Sequence, residues 1–150
     1  MKIAISNDHG GVNFKNALKK HFESKGIEYI DYGYQPGLDN TDYPDYALSA
    51  CQAVLDGTCD YGVLICGTGI GMSIVANKIP GIRCGHCSDT FSARMTKMHN
   101  HANMISVGER IIGEGLMLDI VDAFISAENE QGRHLRRVEK ITAIEKKYSK

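Results

Sequence analysis

Residues 63–71 read VLICGTGIG, an unbroken aliphatic run that ends in a cysteine and gives way to glycines at 67, 69 and 71. A run of this kind suits a strand buried on both faces, and alternate glycines suit a tight exit into a helix. A buried strand feeding directly into a helix is the repeating unit of a parallel sheet. The same alternation extends in both directions. Strand-like runs cover residues 2–6, 28–32, 61–66, 82–86 and 103–107. Helical patterns cover about 11–25, 46–56, 72–78, 88–98 and 116–127, and a charged helix over about 133–147 closes the chain. The pattern predicts an α/β fold, a three-layer α/β/α sandwich with a Rossmann-like five-stranded parallel sheet and a C-terminal helix. Residues 1–150 are expected to form a single domain. The stretch GYQPGLDNTDYPDY (33–46) carries the Gly, Pro, Asn and Asp of an ordered loop.

Composition narrows the partners. Hydrophobic residues make up 43% and charged residues 23%, the balance of an ordinary globular chain. A formal net charge of −1 offers no electrostatic footprint for nucleic acid or for an anionic membrane. The start MKIAISNDHGG reaches a charge at Asp8 too soon for a secretory signal. The uncharged stretch from Tyr61 to Asn77 is too short and too rich in glycine to span a bilayer. Five cysteines, an odd number set within strand-like and helix-like segments, suit reduced thiols and a cytoplasmic location.

Open parallel sheets bind ligands beyond the carboxyl ends of their strands, where helix N-termini point. The strand ends here are SNDHGG (6–11), CGTGIG (66–71), CSDT (87–90) and GER (108–110), so Asp8, His9, Cys66 and Arg110 should share one rim. The glycine loop is neither a G-x-G-x-x-G dinucleotide fingerprint nor a Walker A loop, since its spacing is G-x-G-x-G and no Lys-Ser/Thr pair closes it. It can be a bare turn, or its N–H groups can hold an anion. A helix N-terminus favours thiolate over thiol, which makes Cys66 a candidate nucleophile or general base rather than an apolar filler.

Three further motifs call for a choice. CGHC (84–87) has the C-x-x-C spacing of a thiol–disulfide oxidoreductase, but it falls in a strand and its exit rather than in the first turn of a helix. No second ligand pair has the spacing of a zinc site, so packing is the better account of Cys84 and Cys87. In KMHNHAN (97–103), His99 and Asn100 at a turn before the last strand are candidates to bind a polar ligand, and His101 is read as structural. GRHLRRVEK (132–140) sets Arg133 and Arg137 on one helical face, with Arg136 turned away. The face is either solvated or a bidentate clamp for phosphate.

The segments DHGG (8–11), DYPDYA (42–47), ICGTGIGMSIVANKIPGIR (65–83), HNHANMISVGER (99–110), GRHLRRV (132–138) and ITAIEKKY (141–148) together resemble the family of type B ribose-5-phosphate isomerases and galactose-6-phosphate isomerases. The resemblance runs the length of the chain. It implies aldose–ketose isomerisation of a sugar phosphate through a cis-enediolate, with no cofactor and no metal. Cys66 would be the base moving a proton between C1 and C2, and Thr68 would assist at the sugar oxygens. The backbone N–H groups of Gly67, Thr68, Gly69, Ile70 and Gly71 would form the anion hole. His99, assisted by Asp8, would open the furanose ring, while Asn100 and Tyr43 would touch sugar hydroxyls. His9, Arg110, Arg133 and Arg137 would hold the phosphate.

One branch of that family has glutamate where this chain has Met72 and glycine where it has Cys66, so the chain falls in the cysteine branch. His99 and the GRHLRR ending favour ribose 5-phosphate and a place in the pentose phosphate pathway, with allose 6-phosphate or galactose 6-phosphate as the alternative. His101 stands where many relatives have aspartate. The resemblance also implies a homodimer, or a dimer of dimers, with active sites shared between subunits. It further implies strand order 2-1-3-5-4, whereas fold rules alone suggest 2-1-3-4-5. Two other classes compete. A thiol redox protein would act through Cys84 and Cys87. A phospho-receiver would need an aspartate and a lysine where this chain has Cys66 and Arg110.

Overall fold

The computed structural model describes residues 1–39 and 41–149, so residue 40 of the expected loop lies outside the described residues. In chain order the elements are β1 (Lys2–Asn7), a 3-10 turn (His9–Gly11), α1 (Val12–Lys25), β2 (Glu28–Asp31) and α2 (Tyr43–Leu55). There follow β3 (Tyr61–Cys66), α3 (Ile70–Ala76), β4 (Cys84–His86), α4 (Thr90–Asn100), β5 (Met104–Gly108), α5 (Glu114–Ile125) and α6 (Arg133–Tyr148). All strand pairs are parallel, in the order β2-β1-β3-β5-β4.

Alternation along the strands builds the two halves of the core. Ile3, Ile5, Val63, Ile65, Ile105 and Val107 face a layer that includes Phe14, Leu18 and Phe22 of α1 and Met117, Ile120 and Phe124 of α5. Ala4, Leu64, Cys66 and Met104 face the opposite layer, built on Ala47, Ala50 and Cys51 of α2 and Met72 and Ala76 of α3. Each fully buried Leu, Ile, Phe or Met side chain contributes roughly 1.5–3 kcal/mol to the driving force for folding. Cys66 is thus fixed on the α2–α3 side of the sheet.

The sheet order departs from fold rules because of what β4 and β5 can bury. Every residue of β5 is buried, as a central strand requires, whereas β4 is three residues long and ends in an exposed histidine. A short, polar-ended strand belongs on the edge. β4 starts two residues later than its apolar run suggests, because the Arg83 N–H is taken by the Asn103 side chain at 2.9 Å. α2 starts earlier, at Tyr43, since Pro44 in its first turn forfeits an N–H that has no helical acceptor. α4 runs on through Asn100 and stops at His101, which takes a left-handed conformation at φ 48° and donates its N–H back to the last turn. His99 and Asn100 are therefore the last two residues of a helix, not residues of the turn beyond it.

Candidate active site

Cys66 ends β3, and the loop behind it folds back over the thiol. The Gly69 N–H donates to Cys66 Sγ at 3.0 Å, and Cys66 is only 5% exposed. Gly69 holds φ 78°, and a Cβ there would lie 2.8 Å from both the His86 ring and the Val107 carbonyl carbon. Only glycine fits this position. Ser106 Oγ donates to the Gly69 carbonyl at 2.6 Å, and His86 Nε2 lies 2.9 Å from the Thr68 carbonyl oxygen. Both residues lie inside quoted segments, His86 in CGHC and Ser106 in HNHANMISVGER, yet neither is marked there as a brace. Thr68 is exposed, and its Oγ1 accepts from the Ile70 N–H at 3.3 Å.

Two neighbouring loops pack on this one. The Asp8 N–H donates to the Ile65 carbonyl, and Asp8 Oδ1 accepts from the Gly10 N–H at 2.8 Å. A Cβ on Gly10 would stand 3.1 Å from the Gly67 nitrogen, so the DHGG loop lies directly against the cysteine loop. On the other side, the Arg110 N–H donates to the Gly67 carbonyl at 3.0 Å, and the Arg110 guanidinium passes over Gly67. The Tyr43 ring covers Gly71, while His9 is exposed and sets its ring edge-on to Tyr34. Lys15 anchors that side. Its buried Nζ donates to the Tyr34 carbonyl at 2.5 Å and pairs with Asp31 at 3.3 Å. Burial pulls the Lys15 ammonium down from its ordinary pKa. Burial works against ionisation of Asp31 too, but the Gly33 N–H and the two lysines outweigh it and hold that carboxyl below its usual range. Asp8, His9, Tyr43, residues 67–71, Cys66 and Arg110 thus form one continuous surface.

The remaining expected site residues are elsewhere. α4 starts at the carboxyl rim, capped by Asp89, and its 11 residues carry the chain about 16 Å back along the sheet. His99 and Asn100 sit at its far end, so Asp8 cannot assist His99 within one chain. Arg133 and Arg137 are exposed on α6, which packs against α4. The His99 ring stacks on His134, with centroids 4.0 Å apart and planes 9° apart. Glu130 Oε2 lies 3.7 Å from His99 Nε2 and 3.2 Å from His134 Nε2. Arg133 Nε donates to His134 Nε2 at 3.2 Å. Burial, then repulsion from His99 and from Arg133 and Arg137, pushes His134 below the ordinary histidine range against the pull of Glu130. Sequence reading passed over both Glu130 and His134, although the GRH of the quoted motif contains the histidine.

Among the described residues, His99, Glu130 and His134 are the group whose donor atoms gather closely enough to consider for a metal, all within 4.8 Å. Their geometry argues otherwise. Imidazole lone pairs lie in the ring plane, so two stacked parallel rings direct them side by side and not toward one point.

The CGHC motif is likewise not a redox pair. Cys84 opens β4 and Cys87 lies one residue beyond its end, and the two face opposite sides of the sheet. Cys84 packs with the α2–α3 layer and Cys87 with the α1–α5 layer. All five cysteines are free.

Comparison with known proteins agrees with this architecture. The family model described as Ribose/Galactose Isomerase matches residues 3–141. The chain is 46% identical to ribose-5-phosphate isomerase B of Escherichia coli, over 97% of each chain. It is 43% identical to a D-erythrulose-4-phosphate isomerase of Pectobacterium atrosepticum, over 94% of this chain and 93% of that one. Among solved structures, ribose-5-phosphate isomerase B of Clostridium thermocellum superimposes with a TM-score of 0.95 at 50% identity, covering 99% of this chain and 100% of that one. The Mycoplasma genitalium enzyme with bound ribulose 5-phosphate superimposes with a TM-score of 0.91 at 34% identity, covering 97% and 96%.

Proposed function

The chain belongs to the ribose/galactose isomerase family, and from that premise we propose that it interconverts D-ribose 5-phosphate and D-ribulose 5-phosphate at the Cys66 rim. As a member of that family it is an aldose–ketose isomerase acting on sugar phosphates. The observation that carries the assignment of the reacting centre is the Gly69 N–H aimed at Cys66 Sγ. The thiolate takes the C2 proton of the open-chain aldose and returns it to C1. Negative charge grows on O1 as the proton leaves, and the N–H groups of residues 67–71 are the preorganised donors for it. Thr68 Oγ1 moves the hydroxyl proton between O2 and O1. Tyr43 borders the sugar from α2, and His9 and Arg110 take phosphate oxygens.

His99, Asn100, Arg133 and Arg137 complete the site from a second copy. Two features support a homodimer with shared sites. Within one chain these residues are a helix length from Cys66. The helices also leave large apolar side chains uncovered, among them Ile70 and Ile74 of α3 and Ile141, Ile144 and Tyr148 of α6. In the dimer, His99 would open the furanose ring by proton transfer at the ring oxygen, next to Asp8 of the partner subunit. Arg133 and Arg137 would add bidentate contacts to the phosphate. No helix among the described residues is long and apolar enough to cross a membrane. A cytoplasmic enzyme of the pentose phosphate pathway fits that description.

The test is a coupled assay across ribose 5-phosphate, allose 6-phosphate and galactose 6-phosphate. We expect the highest kcat/KM with ribose 5-phosphate. A higher value with a six-carbon phosphate would overturn the substrate assignment, and no turnover of any of the three would overturn the site assignment.

A further inference from the structure

We propose that Glu130 and His134 are positioning residues that hold the His99 imidazole for ring opening. This inference rests on the ring-opening role given to His99 above. That role sets a demand. One nitrogen must meet the ring oxygen of a bound furanose, yet His99 sits in the last turn of a helix with about a third of its side chain exposed. An imidazole there turns freely about two side-chain bonds unless something restrains it.

The restraints come from the loop before α6 and from the first turn of α6. His134 is 5% exposed, so its ring is a fixed, flat wall. The His99 ring lies against that wall at 4.0 Å and nearly parallel. Stacking restricts rotation of the His99 ring about its outer bond. Glu130 supplies direction within the plane, because its Oε2 lies 3.7 Å from His99 Nε2, while His134 Nε2 is occupied by Arg133.

Glu130 is itself held by its main chain. Its N–H donates to the Met98 carbonyl at 2.9 Å, and its carbonyl oxygen lies 2.6 Å from His101 Nε2. These bonds clamp Glu130 to the residues on either side of His99. A loop residue 31 positions away is thereby registered against one histidine. On the other side of the pair, Arg133 Nε donates to His134 Nε2, which fixes that nitrogen as an acceptor and ties the wall to a phosphate ligand. Substrate phosphate and ring-opening group are therefore held by adjacent residues of one turn, so the distance between them is set by backbone. The simpler alternative is that Glu130 only places negative charge near the N-terminus of α6.

Two measurements separate these accounts. The first is kcat for ribose 5-phosphate, which starts as a ring. The second is solvent exchange at C1 of ribulose 5-phosphate, which cannot close to a furanose. Glu130→Gln is expected to lower the first about tenfold, with KM within about twofold, and to leave the second unchanged. His134→Ala should lower kcat in the same selective way. His134→Phe restores the flat wall and should recover most of kcat, while KM stays raised in both variants because Arg133 has lost its acceptor. Equal losses in both measurements, or a silent Glu130→Gln, would overturn the positioning role. His99→Asn is the reference: if it also slows both measurements equally, the ring-opening role of His99 fails. If His99→Asn shows the split and Glu130→Gln does not, only the positioning inference fails.

Discussion

The cysteine rim and the α4–α6 end use opposite construction methods. At the rim the chain itself is the binding surface. Glycines let three loops touch, and main-chain N–H groups point at Cys66 and Asp8. At the α4–α6 end the surface is made of side chains, with two stacked imidazoles, a carboxylate and two exposed arginines on helices. The difference follows from what each end would do. An enediolate oxygen needs donors fixed before charge appears, and backbone is the stiffest source of donors. A ring oxygen needs a transferable proton and a phosphate dianion needs charge beyond what His9 and Arg110 bring at the rim, and side chains supply both.

If the two ends meet only between copies, separating them by mutation should have a specific consequence. Cys66→Ala is expected to lower kcat at least a thousandfold, about 4 kcal/mol in barrier, with little change in substrate binding. A variant within about tenfold of wild type would remove Cys66 from the role of base. His99→Asn should be similarly poor with the cyclic aldose. Neither variant is active alone, but co-refolded in equal amounts they should regain about a quarter of wild-type activity. Half of the dimers are then mixed, and each mixed dimer holds one intact site out of two. Failure to regain activity, with mixed dimers demonstrated by native mass spectrometry, would mean that both residues serve one chain.

The side-chain end makes a graded prediction. Arg137→Ala should cut kcat/KM for ribose 5-phosphate by at least about a hundredfold, since a dianion loses a charged donor and the sugar loses its anchor. Turnover of unphosphorylated ribose should barely move. Arg136→Ala is expected to be nearly silent. Equal damage from the two substitutions would make this helix face an ordinary solvated one and place the phosphate elsewhere.

The two ends also differed in how readily the sequence disclosed them. The rim was legible because its signals are local. A buried aliphatic run, a thiol and alternate glycines lie within nine residues, and the strand-end rule brings Asp8 and Arg110 alongside. The succession of strand-like and helical segments likewise disclosed a parallel sheet with helices on both faces. The α4–α6 end was legible only as isolated motifs. Its geometry depends on the direction and length of α4, which carries His99 away from the rim. It also depends on the contact between His99 and Glu130, which no periodicity marks. The edge position of β4 followed from the family resemblance, which implied the observed order, but not from fold rules. It rests on a comparison of its three residues with the fully buried β5 that neither strand reveals alone. Ser106 and His86 were hidden for the same reason, since each braces a loop that belongs to another strand.

The smallest expected effect comes from the cysteines that belong to neither end. Burial, followed by the weaker influence of neighbouring thiols, holds the Cys84 thiol well above its ordinary pKa. Burial, then the charge of Asp89, pushes Cys87 up to about 12. Near neutral pH both are therefore thiols, neither a ready nucleophile. They also face opposite layers of the sheet, which rules out a bond between them without rebuilding β4. Cys87 Sγ lies 3.7 Å from the Gly85 carbonyl oxygen, a contact that a serine hydroxyl can take over. Cys84→Ser/Cys87→Ser should thus keep kcat/KM within about twofold, while thermal unfolding reports a loss on the order of 1 kcal/mol per site from placing hydroxyls where thiols packed. Loss of activity in a variant that still unfolds cooperatively would show that β4 feeds the reacting centre. His86, between the two cysteines and bonded to the Thr68 carbonyl, is the route by which it would do so.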